Sequence, residues 1–372
     1  MTRRLLIIGG GIQGMMSASA AAKVGTFSEI MVTEQGFGCM GASHYSGGVQ
    51  IPYGRQDRTR SLTRKSAMAL ATIAGSDVNG WYRSVTMRVA AGPEEAIDPA
   101  QFTEPLEAAE PDMGSLAPSF SDSIRFWSIG GAHVADVPAL VVQLQRDLAA
   151  KIRMKQGLRC VSLRERDDAA EAEFATGEII KADAVILAVG PWIVQPPFRE
   201  LSETFSIRIK KVVALHLERT STLNDPLIFM PGVDAFLLPQ PRVNRWLFSY
   251  ASADWDVRPE TVACGLSRSD LEAGRAVLER FCPGLGWDLT SGRVFCDAYS
   301  PTGAPVVARL TAQSRIILVG CQRVWLPFLS ATCMGGCFDG FHRLNSLGLS
   351  CGNLGFLKRR CTVPSVSTWP HL

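Results

Sequence analysis

The strongest constraint on this chain lies at its start. Leu5-Leu6-Ile7-Ile8 is an unbroken apolar run, and Gly9-Gly10-Gly11-Ile12-Gln13-Gly14 follows at once. Apolar residues without alternation read as a strand buried on both faces, as in a parallel sheet. In a strand–turn–helix unit of this kind, Gly9 permits the tight turn, Gly11 lets backbone approach a pyrophosphate, and Gly14 allows close packing of helix on strand. The pattern predicts a helix from about Ile12 to Val24, with its N-terminal amides aimed at phosphates and Gly25 as C-cap. Ile30–Thr33 reads as the second strand. Glu34 closes it, 20 residues after Gly14, where a carboxylate meets ribose hydroxyls. Together these features make a dinucleotide-binding βαβ unit. An acid at position 34 favours a free ribose, hence FAD or NAD rather than NADP.

Length and charge bound the rest. A chain of 372 residues exceeds one compact core and suggests two domains. A net charge of +3 gives no basic field suited to nucleic acid. Met1-Thr2-Arg3-Arg4 before the apolar run mimics a secretory signal, but that run is too short for a signal core. No stretch approaches the roughly 18 apolar residues of a membrane span. The cysteines before residue 300 are scattered without paired spacing, as in a reduced cytosolic protein. Cys333 and Cys337 have no matching second pair, so no metal site is expected.

Later segments separate FAD from NAD. Gly41-Ala42-Ser43-His44-Tyr45-Ser46-Gly47-Gly48-Val49 is rich in small residues, which leave room and free amides for a bulky ligand. Ser128–Asp136 precedes an amphipathic helix over Pro138–Ala150. Strands follow near Leu158–Leu163, Glu171–Phe174, Ile179–Ala182 and Ala184–Val189, and Gly190-Pro191-Trp192 ends the last. Lys211–Glu218, Ala235–Leu238 and Arg245–Ser252 also read as strands. Ser269–Phe281 reads as a helix with Ser269 as N-cap.

In this order the pieces resemble the D-amino-acid oxidase and sarcosine/glycine oxidase family of flavoproteins. The resemblance rests on the Gly9–Gly14 turn with Glu34, the Ser43–Gly48 loop, the Gly131–Asp136 helix entry, and the run from Thr176 to Trp192. Ser300-Pro301-Thr302-Gly303-Ala304-Pro305 is similar to the family's turn before its final strand. The likeness spans roughly residues 1–320. It implies an α/β fold, with a Rossmann-like FAD-binding domain and an antiparallel-sheet α+β substrate domain. The FAD domain would be discontinuous, from residues 1–75, 131–205 and 300–372, with the substrate domain from 76–130 and 206–299. FAD would be held by Gly9, Gly11, Ile12, Gln13, Gly14, Glu34, Gln35, Ser43, Ser46, Gly47, Gly48, Val161, Ala188, Gly190 and Trp192.

The same resemblance implies oxidation of a C–N bond in a small amine or amino acid, by hydride transfer to flavin and hydrolysis of the imine. Oxygen or another acceptor would take the electrons. Arginine suits carboxylate recognition, and Arg55, Arg242 and Arg245 are candidates. His44 lies in the loop that resembles the flavin-contacting segment, and Tyr53 and Tyr250 are candidates to shape the pocket. His44, Arg55 and Tyr250 are therefore the expected catalytic group. Two other readings share the N-terminal turn. One is a flavoprotein maturation factor acting on a protein side chain. The other is a flavin monooxygenase, although the chain has no Gly-Asp pair of the kind such enzymes carry.

The end of the chain departs from the family pattern. After Arg315–Gly320 a glycine-rich turn with a basic residue is expected, but Cys321–Pro327 contains no glycine. Residues 321–372 hold five of the ten cysteines and a single acid, Asp339. Back-translated and read from the second base of each codon, Trp325 forces a glycine, and the following codons permit Phe-Arg-Phe-Ser-Pro. This points to a shifted reading frame near Gly320, which would remove part of the flavin site. The coding DNA checks this: a frame change is expected near codon 320. An uninterrupted frame, with homologues sharing the Cys321–Leu372 text, would overturn it.

Overall fold

The computed structural model describes residues 3–320, apart from 39, 76–79, 111–113, 117–119, 263–264 and 312. The Cys321–Leu372 segment, with its expected frame change, lies outside the described residues.

The anticipated first strand, β1 (Arg4–Ile8), sits inside a six-stranded sheet. β2 (Glu29–Thr33) and then Arg153–Lys155 follow on one side. Ala184–Leu187, Ile316–Gly320 and Val306–Arg309 follow on the other. All pairings are parallel except the last, between the two C-terminal strands. Both faces are covered, which is why Leu5–Ile8 carries no polar residue. Leu5 and Ile7 pack with Met15 and Ala18 of helix α1 (Ile12–Val24) and with Leu140 and Leu144 of the Val137–Asp147 helix. Leu6 and Ile8 pack on the other side with Ala172, Phe174 and Ile180 of a three-stranded antiparallel sheet.

The turn into α1 is as tight as the glycines suggested. Gly9 adopts φ +110°, and a Cβ on it would lie 2.3 Å from the carbonyl oxygen of Ala188. A Cβ on Gly14 would lie 1.8 Å from the carbonyl oxygen of Gly9. Gly25 ends the helix in the left-handed region and donates to Ala21.

An eight-stranded sheet faces the ends of the parallel strands. Its order is Leu289–Tyr299, Arg208–Leu217, Arg245–Trp255, Ala235–Gln240, Leu227–Met230, Met87–Ala91, Arg125–Ile129 and Glu107–Ala109. It is antiparallel apart from the pairing of Leu227–Met230 with Met87–Ala91. The Arg268–Glu279 helix covers its outer face, where Gly274 packs on Leu215 and the Tyr250 ring. Ser267 caps this helix, not Ser269. The Ser267 hydroxyl accepts from the Asp270 amide at 3.2 Å, and the Asp270 carboxylate accepts from the Ser267 amide at 2.9 Å. Asp270 also pairs with Lys211 at 2.5 Å, an anchor that the alternative register through Glu272 would forgo. A smaller sheet of Val49–Gln50, His133–Ala135 and Tyr82–Ser84 ties the glycine–serine loop to the helix entry. Among the described residues, no helix is long and apolar enough to cross a membrane.

Substituting Gly14 checks the close approach. Gly14→Ala must displace backbone rather than a flexible side chain, so it is expected to lose at least about 1–3 kcal/mol in urea unfolding. Gly36→Ala, whose Cβ would come no nearer than 3.8 Å to a neighbour, is expected to leave stability unchanged.

Candidate functional site

A cavity lies between the two large sheets. On one side it is walled by the ends of β1 and β2 and by the N-terminus of α1, including Gly9, Gly11, Ile12, Gln13, Glu34 and Gln35. No acidic side chain occupies the first turn of α1, so the partial positive charge of its amides is open to an anion. The Ile12 amide donates to the Ser43 hydroxyl at 3.0 Å. Glu34 accepts from the Gly10 amide at 2.8 Å and from the Gly36 amide at 3.0 Å, which fixes its carboxylate at the cavity edge. Among the described residues, the side-chain oxygen of Gln13 is buried without a partner. A helix start without acidic side chains, a fixed carboxylate and a buried side-chain acceptor, with no Cβ at Gly9, Gly10 or Gly11, fit a diphosphate flanked by ribose hydroxyls.

The glycine–serine loop crosses the cavity. Its first part is one helical turn, Ala42–Tyr45, in place of open loop. Gly41 packs against the Trp192 ring, and Gly47 against Phe236 and Leu247. Ser46 accepts from the Gly48 amide at 3.1 Å. Gly48 lies against Ala135, with φ +66°. Ser43, Ser46, Gly47, Gly48, Ala188, Gly190 and Trp192 all line the cavity.

Five expected site residues stand differently. Gly14 is a spacer under the turn, in contact with Gly9. Val161 points outward at 44% exposure, and its predecessors Leu158, Arg159 and Cys160 line the cavity instead. The exposed His44 does not line the cavity, and its ring meets Tyr45 edge-on at 5.0 Å. Arg55 is exposed and donates to the Tyr53 hydroxyl at 3.3 Å, away from the cavity. Tyr250 touches the cavity wall, but its ring packs on Gly274 of the outer helix and its hydroxyl donates to the Asp270 carbonyl at 2.7 Å. Strand alternation explains this: Ser249 and Ala251 face the cavity, so Tyr250 faces the helix. Arg242 donates to the Gly80 carbonyl at 3.1 Å, and Tyr53 to the Gln101 side chain at 2.7 Å.

The eight-stranded sheet supplies side chains that sequence reasoning passed over. Lys210, Asp297, Trp255 and Tyr299 line the cavity opposite the glycine turn. Lys210 and Asp297 are cross-strand partners. The Lys210 ammonium lies 4.9 Å from the centre of the Trp255 ring, and that ring meets Tyr299 edge-on at 5.6 Å. Burial pushes the Asp297 carboxyl up to about 7. A signal was present: Asp297 is the one acid among the alternate positions 289, 291, 293, 295, 297 and 299, and an acid on an inward face asks for a partner.

The pH dependence of stability follows from Asp297. Its carboxyl ionises near 3.9 in an unfolded chain and near 7 when folded. The unfolded state therefore releases its proton first, and stability falls as pH rises from about 4 through 7. Asp297→Asn removes this penalty. Its Tm is expected to exceed that of wild type at pH 8, with the difference closing towards pH 4.

The profile of the FAD dependent oxidoreductase family (DAO) matches residues 4–335, fifteen residues beyond Gly320. Solved structures share the fold at low identity. Glycine oxidase from Geobacillus kaustophilus has a TM-score of 0.68 at 13% identity, over 94% of this chain and 97% of that one. Fructosyl amine:oxygen oxidoreductase (Amadoriase I) from Aspergillus fumigatus has 0.69 at 15%, over 92% and 87%. Iminodiacetate oxidase from Chelativorans sp. BNC1 has 0.64 at 19%, over 91% and 93%. No curated protein sequence matches the chain.

Proposed function

Because the chain belongs to the FAD-dependent oxidoreductase family (DAO), we propose that it oxidises the C–N bond of a small amine or amino acid. Bound in the cavity, FAD would accept a hydride from the carbon beside the nitrogen, and the resulting imine would hydrolyse in water. Oxygen or another acceptor would restore the cofactor. The observation that carries this reading is a single cavity with a dinucleotide-type wall on one side and an acid–aromatic group on the other.

Each wall has its own task. On the first, Gly9, Gly11, Ile12 and Gln13 would hold the pyrophosphate, and Glu34 and Gln35 the adjacent ribose. Ser43, Ser46, Gly47, Gly48, Ala188, Gly190 and Trp192 would contact the remainder. Gly14 acts through packing. On the second wall, Asp297 would receive the substrate ammonium and take a proton from it at a carboxylate oxygen, leaving the neutral amine that hydride loss requires. A carboxyl poised near neutrality suits that exchange. Trp255 and Tyr299 would exclude water, and Lys210 would hold a substrate carboxylate. The cofactor segments would be 1–75, 131–205 and 300–372. The substrate segments 76–130 and 206–299 are supported by the strands of the eight-stranded sheet, which all come from them. The free, buried thiols of Cys160, Cys282 and Cys296 suit a reducing compartment such as the cytoplasm.

Absorbance of the purified protein tests the function. Flavin bands that bleach anaerobically when an amine or amino acid is added are the expected result. A protein that neither carries nor takes up FAD, or flavin that stays oxidised across a screen of amines, would overturn it. Asp297→Asn is expected to retain flavin and to lose about 10²–10⁴-fold in kcat/KM, along with the limb of the pH profile near 7.

A further inference from the structure

Where the sheet leaves the cavity, it changes character. Along Arg208–Leu217, Val212 and Ala214 line the cavity and the next residue on that face is His216. Along Leu289–Tyr299, Phe295 is followed by Arg293, and along Arg245–Trp255, Ser249 and Leu247 are followed by Arg245. These strands are neighbours, paired Ala214 with Arg293 and His216 with Leu247. Each two-residue step is about 7 Å along a strand, and Arg293 lies two such steps from Asp297.

Arg293, His216 and Arg245 thus run diagonally across three neighbouring strands, with both guanidinium charges acting on the imidazole. Among the described residues none of the three takes part in an ion pair. Arg293 reaches the Ser46 carbonyl at 3.4 Å, and Ser46 itself lines the cavity. Arg245 donates to the Gln240 side chain at 3.2 Å, and His216 Nδ1 meets the Ser291 hydroxyl at 3.0 Å. Among the described residues, His216 Nε2 and Arg293 Nε are buried without partners. Burial and the charges of Arg245 and Arg293 push the His216 ring down to about 4. Clustered cations without counter-charge disfavour the fold unless an anion joins them.

We propose that His216, Arg245 and Arg293 bind the phosphate- or phosphonate-type dianion of the substrate, which is then an amine carrying such a group at the end remote from Asp297. A single carboxylate would neutralise only one guanidinium. A dianion matches both, and Arg side chains suit its oxygens bidentately. The assignment of the anion to a substrate rests on the amine-oxidising function proposed above.

Two measurements separate the two ideas. Inorganic phosphate, titrated into the purified protein, is expected to raise Tm in wild type, much less in Arg245→Gln or His216→Gln, and in part in Arg245→Lys. No shift in wild type, or an equal shift in the variants, would overturn the site. In steady-state kinetics, O-phosphoethanolamine is expected to have a KM about tenfold or more below that of ethanolamine. Inorganic phosphate should compete with it, and Arg245→Gln should erase the preference. Oxidation of both amines with no preference, or phosphate inhibition that is not competitive, leaves the oxidase function standing and overturns the substrate assignment. Phosphate stabilisation through Arg245 with no amine bleaching the flavin overturns the oxidase function and the substrate assignment while the anion site stands.

Discussion

The contact between Gly14 and the Gly9 carbonyl is the constraint on which the rest depends. Helix α1 can lie on β1 only because neither residue carries a Cβ at that crossing. That approach brings the amides at the start of α1 to the end of the parallel sheet, where Glu34 and the Gly10 amide meet. It also leaves Ala188 beside Gly9, so the strand that returns through Val185–Leu187 ends at the same place. The dinucleotide-type wall of the cavity is therefore a consequence of one close packing event, with the polar groups arranged around it.

The opposite wall obeys a different rule. Alternation along three adjacent strands sorts their side chains between the Arg268–Glu279 helix and the cavity. On the helix side, Lys211, Tyr250 and Asp270 form a buried polar knot whose members satisfy one another. On the cavity side, Lys210, Ser249 and Asp297 share a face with Phe236 and Phe295. A sheet can keep charged residues on both faces only if each face offers partners, through the helix in one case and a ligand in the other. The basic diagonal of His216, Arg245 and Arg293 extends the second face beyond the cavity.

Much of this was legible in the chain. The β1–α1–β2 unit follows from local chemistry, because glycine spacing, an unbroken apolar run and an acid at a set distance need no long-range information. Local spacing does not separate the Ser267 cap from Ser269, because Ser269 with Glu272 offers the same pattern. Pairing with Lys211, which is distant in sequence, separates the two registers. His44 and Arg55 were grouped with the site for their proximity to the glycine–serine loop, yet the helical turn at Ala42–Tyr45 and the turn at Tyr53 carry them outward. Tyr250 was placed in the right strand but on the wrong face, since the phase of alternation depends on which sheet face meets the helix.

What the sequence alone determined is the class of the first unit and, through it, the kind of cofactor the chain is built around. Those features depend on backbone conformation within a few residues of each glycine. Only the tertiary structure decided which side chains meet that cofactor site. Lys210, Trp255 and Asp297 lie far apart in the chain, and strand register alone brings them to one wall. Register and face are set by the packing of whole sheets, and no local spacing encodes them.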